Sequence, residues 1–161
     1  MTALKNLTQE PQLVEAIMAT ICANQLYNKM YAEVVDWEHI LKEAKEKAQN
    51  SFDQLNLYVS LGIIDEHQCA FASLKKFFQL VKDEFANLDV TIKSYKKDLT
   101  KLLYWRGEVK SMGYSLEHKH QQIGKAIELF LSALNAKLNE FKEAITGAAY
   151  PNTEVYYSFD F

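Results

Sequence analysis

Phe71, Leu74, Phe78, Val81, Phe85, Leu88, Ile92, Tyr95, Leu99 and Leu102 follow one another at alternating steps of three and four, and the series runs on through Arg106 and Val109. A period of 3.5 held for that length is a coiled-coil seam, because it keeps a stripe of a slightly under-wound helix against one partner. The pattern predicts a helix over 65–112, with Asp65 as cap, Gln68 closing a capping box and Ile64 stapled onto Cys69. Upstream, Gln12 to Leu61 contains neither Gly nor Pro, and Pro11 suits a first helical turn. Apolar positions there are Leu13, Ile17, Ile21, Met30, Val34, Trp37, Leu41, Ala44, Ala48, Leu55 and Val59. That spacing predicts helix over about 9–61, irregular near Asn24–Asn28, with a possible second break where Ser51 and Gln54 would form a capping box. Gly62 supplies the stop.

A third pattern, Ile123, Ile127, Phe130, Leu134, Leu138, Phe141 and Ile145, predicts a helix over 116–146 that Gly147 ends. The stretch "SMGYS" around Gly113 reads as the turn before it. After it comes "AAYPNTEVYYSFDF", which alternates Val155, Tyr157, Phe159 and Phe161 and has no helical period. The fold class is therefore all-α: an elongated antiparallel three-helix bundle, or coiled-coil hairpin, over 1–147 with an extended aromatic tail over 148–161.

Composition agrees. With 161 residues, 48% hydrophobic and 24% charged, one domain with its own core is expected, and five glycines with two prolines leave few turns. A formal net charge of -3 gives no overall attraction to nucleic acid. Of eighteen Lys and Arg side chains only Arg106 is arginine, which removes the side chain best suited to bidentate base or phosphate contacts, so sequence-specific nucleic-acid binding is not expected. Cys22 and Cys69 stand in no metal-like spacing and read as small buried apolar groups in a reducing compartment. No stretch matches a secretory signal or the roughly 18 apolar residues of a membrane span, so the expected location is cytoplasmic.

Candidate chemistry is sparse. Arg106 falls at the end of an apolar seam beside Trp105 and Gly107, where its guanidinium must reach water or a carboxylate such as Glu15 or Glu117. Trp105 and Arg106, with Tyr156, Tyr157, Phe159, Asp160 and Phe161 of the tail, are the candidate partner-binding residues. Trp105-x-Gly107 followed by Tyr156-x-x-x-Asp160 resembles the paired signals of small helical substrates of type VII secretion. The likeness covers eight positions, and the tryptophan comes much later here than in that family's hairpin, so no family property is carried over. Glu117-x-x-His120 and Asp36-x-x-His39 have the ligand spacing of ferritin-like bundles. His120 falls on the third seam while Asp36 and His39 fall on an outward face, so the pairs do not converge and no metal or other cofactor is expected. Neither a Gly-rich phosphate loop nor a nucleophile elbow occurs, and no catalytic residues are assigned. Lys93, Lys97 and Lys101 line the face opposite the seam, a possible contact for anionic lipid. Three long helices with a basic stripe resemble the plan of BAR-type membrane-curving modules, which usually carry more arginine. The expected function is thus a non-enzymatic scaffold or assembly protein that binds a protein partner or its own copies through seam and tail. A membrane-surface module is the alternative, and a metal-binding bundle a remote one.

Overall fold

The computed structural model describes residues 11–67, 69–104 and 109–149, with side chains over 13–67, 69–103 and 113–143. Among them are three helices, α1 (Pro11–Ser60), α2 (Phe71–Tyr104) and α3 (Val109–Ala149), and no strand. The chain is all-α, and the helices pack side by side as a three-helix bundle. Contacts divide it into two units, residues 1–36 with 91–124 and residues 37–90 with 125–161, and all three helices contribute to each.

The α2 seam behaves as its period requires. All ten apolar positions from Phe71 to Leu102 are buried, with Tyr95 and Leu99 sealed completely. Each large side chain so buried contributes about 2 kcal/mol of transfer free energy before entropy is counted. In the unit formed by 37–90 and 125–161, Phe52 of α1 stacks on Phe71 with centroids 6.2 Å apart and meets Phe78 at a tilt, 5.2 Å away. On the other side of α2, Phe77 meets Phe141 edge-on at 5.2 Å and Phe85 meets Phe130 at 5.0 Å. Later positions on α2 thus pair with earlier ones on α3, so these helices are antiparallel. In the unit formed by 1–36 and 91–124, the core is built from Ala23, Met30, Val34, Ile92, Tyr95, Leu99, Leu102, Leu116 and Ile123.

Four local expectations change. First, α1 is unbroken from Pro11 to Ser60, and Ser51 donates to the Lys47 carbonyl (2.9 Å) inside it rather than capping a new helix. Second, α2 begins at Phe71, not near Asp65. The Asp65 carboxylate accepts the His67 amide at 2.8 Å in a local turn, and Ala70, left-handed at φ 51, precedes the helix. Third, "SMGYS" is helical. Gly113 is buried inside α3, and a Cβ there would stand 3.1 Å from Leu26 Cδ2 of α1, so this glycine serves close helix packing and not a turn. α2 ends at Tyr104 and α3 already begins at Val109; Trp105 and Arg106 lie outside the described residues. Fourth, α3 runs past Gly147 to Ala149.

Gly62 does end α1 as expected. Its φ is +74, its amide donates to Val59 O at 3.1 Å, and the Ile63 amide donates to Tyr58 O at 3.0 Å. That pair of bonds is a Schellman motif, which satisfies carbonyls left over by the last turn. Gly62→Ala puts a Cβ into the left-handed region at a cost of about 1 kcal/mol. Urea unfolding should show a lower midpoint with an unchanged slope.

Candidate functional site

The first turns of α1 carry the most unusual surface in the unit of 1–36 and 91–124. Leu13, Val14, Ile17, Met18 and Ile21 are 40%, 52%, 52%, 54% and 46% exposed. Five large apolar side chains at helical neighbour spacings make one continuous face, and Glu15 is the only charged residue between Pro11 and Asn28. Other exposed apolar side chains, such as Leu80, Val90 and Leu129, stand singly, which is ordinary for a surface.

This corrects the expectation that Leu13, Ile17 and Ile21 continue the inward seam. Positions four apart drift around a helix by about 40° per step, whereas steps of seven drift by only about 20° the other way. The buried line of α1 passes through Ala23, Met30, Val34, Leu41, Ala48 and Leu55; Ile17 and Ile21 fall off it, while Leu13, three sevens before Val34, keeps its heptad phase but lies in the exposed first turns. Cys22 borders the exposed stripe and is itself exposed. Cys69 is half-buried in the 61–70 turn, so neither free cysteine is the sealed core group expected. Burial, ahead of nearby carboxylates, pushes the Cys69 thiol above its ordinary pKa.

The same unit encloses a polar relay. The Tyr95 hydroxyl lies 2.8 Å from His120 Nδ1, 3.2 Å from the Leu116 carbonyl and 3.5 Å from Met30 Sδ, and His120 Nε2 bonds the Glu33 carboxylate. Tyr95 is fully buried, His120 nearly so, and Glu33 sits half in water. With Glu33 ionised, Nε2–H donates to it, and Nδ1 of a neutral ring accepts the phenol proton. Acid, imidazole and hydroxyl stand in the order that activates a nucleophile. Here burial, reinforced by the negative charges of Glu33, Asp98 and Glu117, pushes the phenol well above its ordinary pKa. Phenolate formation is opposed, and the hydroxyl has no exposed surface on which to meet a substrate. Beside the relay, Asp98 accepts from Lys119 at 2.9 Å and Lys101 at 3.3 Å, and these hydrogen bonds, Lys119 first, hold its carboxyl below the usual carboxylate range.

The other candidates separate. Lys93, Lys97 and Lys101 are all exposed on the outward face of α2, with Lys101 shared with Asp98. His39 faces water and pairs with Glu43 at 3.0 Å, while His120 takes Glu33 rather than Glu117. Among the described residues no three His, Cys, Asp or Glu side chains gather as a metal site, and no helix is long and apolar enough to cross a membrane. Tyr156, Tyr157, Phe159, Asp160 and Phe161, like Trp105 and Arg106, lie outside the described residues. Comparison with protein-family models, with characterised proteins and with solved structures returns no match.

Two signals pointed to the relay in the sequence: Tyr95 is a polar member of the strict seam, and His120 falls on the third one. Glu33 carried no signal of its own, because it sits 87 residues from His120 and meets it only through packing.

Tyr95 gives a pH dependence of definite sign. A phenol whose pKa is raised by folding contributes stability that is fully present below the unfolded value of about 10 and is lost as pH rises above it. Tyr95→Phe should lower stability near neutrality by about 1 kcal/mol, since it leaves His120 Nδ1 without the phenol. It should also flatten the loss of stability above pH ~10. Denaturant unfolding of both proteins across that range reads both effects.

Proposed function

We propose that this protein is a non-enzymatic helical assembly protein whose partner is a second copy of itself, joined through the exposed apolar face of α1. One observation carries the reading: Leu13, Val14, Ile17, Met18 and Ile21 lie exposed as a continuous stripe, with Glu15 the one charged residue in that stretch of α1. A face of a few hundred Å² with almost no charge offers nothing to steer a charged partner, but it complements its own copy. Two such faces would remove roughly 800 Å² of apolar surface from water, enough for the centre of an interface of ordinary size. The α2 seam does not serve, because its ten apolar positions are already buried within the chain. The free thiols, one of them exposed, fit a reducing compartment, and we place the protein in the cytoplasm. Sedimentation velocity across the micromolar range tests the reading. The wild-type chain should run as a dimer, and Ile17→Lys with Met18→Lys should run as a monomer with unchanged helicity. A wild-type chain that stays monomeric throughout would sink it.

A second reading has its own support in Lys93, Lys97 and Lys101, which share one exposed face of α2. A contact with anionic lipid would gain on the order of 1 kcal/mol per lysine. It requires salt-sensitive co-sedimentation with phosphatidylserine vesicles, absent with phosphatidylcholine alone and lost on reversing those three charges. Binding that ignores the reversal would reject this role for them.

A further inference from the structure

The unit formed by 37–90 and 125–161 contains a groove between α1 and α2, a cavity of about 250 Å³ with a divided chemistry. Phe52, Phe78 and Phe85 line it, and Lys45, Lys75 and Lys82 stand exposed around them. The ammonium of Lys75 already lies over the Phe71 ring at 4.8 Å. Two carboxylates bond glutamines of the lining without lining the groove themselves: Asp53 accepts from Gln49 at 2.9 Å and Asp83 from Gln79 at 3.1 Å. Among the described residues no carboxylate lines the groove. Three cations around an aromatic floor fit a ligand that is both aromatic and acidic.

The chain carries such a segment. Residues 150–161, "YPNTEVYYSFDF", hold five aromatic side chains with Glu154 and Asp160 and no basic residue. Read as extended backbone, Val155, Tyr157, Phe159 and Phe161 fall on one side, and Glu154 and Asp160 on the other. The geometry at its root is favourable. Phe141 of α3 meets Phe77 edge-on and lies 6.4 Å from Phe78, a ring of the groove itself. From Phe141 to Ala149 the helix advances about 12 Å. Twelve extended residues then reach roughly 40 Å, more than enough to turn back along the groove.

We propose that residues 150–161 dock into the α1–α2 groove of their own chain, with aromatic side chains against Phe52, Phe78 and Phe85, and Glu154 and Asp160 at the lysine rim. The occupied groove gives aromatic side chains a place out of water and gives Lys45, Lys75 and Lys82 their counter-charges. This docking is separate from the α1 face proposed for assembly and stands or falls independently of it.

The test uses the full chain with benzoylphenylalanine in place of Tyr157. Irradiation should join position 157 to peptides containing 45–52 or 75–85 within a single chain, as read by mass spectrometry. Lys45→Glu, Lys75→Glu and Lys82→Glu together should lower the yield roughly tenfold, a size set by three partly exposed ion pairs. Glu154→Lys with Asp160→Lys, which leaves every described helix untouched, should lower it equally, and combining both sets should restore it. Cross-links that map elsewhere or join two chains would overturn the proposal. So would a yield that ignores both charge reversals while circular dichroism is unchanged.

Discussion

The organising constraint is the length of the α2 seam. A stripe of Phe, Leu, Val, Ile and Tyr at a period of 3.5 must be covered continuously, because any turn left open returns large apolar side chains to water. α1 and α3 are the cover. Phe52, Met30 and Val34 approach from one helix and Phe130, Phe141 and His120 from the other, each within its own unit. The remaining features are what is left once that cover is in place: helix ends, the outer faces and one polar insertion.

The three helices were legible because each repeats an apolar pattern, and α2 most clearly because it repeats without a fault. The errors have physical sources. Leu13, Ile17 and Ile21 look like core by spacing, but successive steps of four carry Ile17 and Ile21 away from the line through Ala23, Met30, Val34 and Leu41 that is buried. Gly113 looks like a turn by propensity, yet close packing against Leu26 outweighs a helix cost of about 1 kcal/mol. Asp65 does cap a turn, but a local one, since its carboxylate spends itself on the His67 amide. Gly62 was read correctly because only one backbone geometry there uses a glycine so well.

The candidate surfaces were less legible than the fold. Lys93, Lys97 and Lys101 could be placed on one outward face from spacing alone, and they occupy it. The exposed stripe of α1 could not, because sequence gives the angular separation of two stripes but not which of them the other helices will choose. The groove at Phe52, Phe78 and Phe85 was hidden for a related reason: its lysines are dispersed over two helices and converge only when those helices pair.

The buried relay has a consequence for how this chain finds its native state. An apolar seam of period 3.5 is nearly unchanged when one helix slides past its neighbour by seven residues, so a purely hydrocarbon bundle would have several low-lying shifted packings. Tyr95 breaks that degeneracy. Its hydroxyl is satisfied only where His120 Nδ1 and the Leu116 carbonyl stand opposite, and a displaced helix would seal an unmatched phenol against Leu or Ile. At about 1–3 kcal/mol for a stranded buried hydroxyl, one atom on the seam separates the correct alignment from its near copies on the folding landscape.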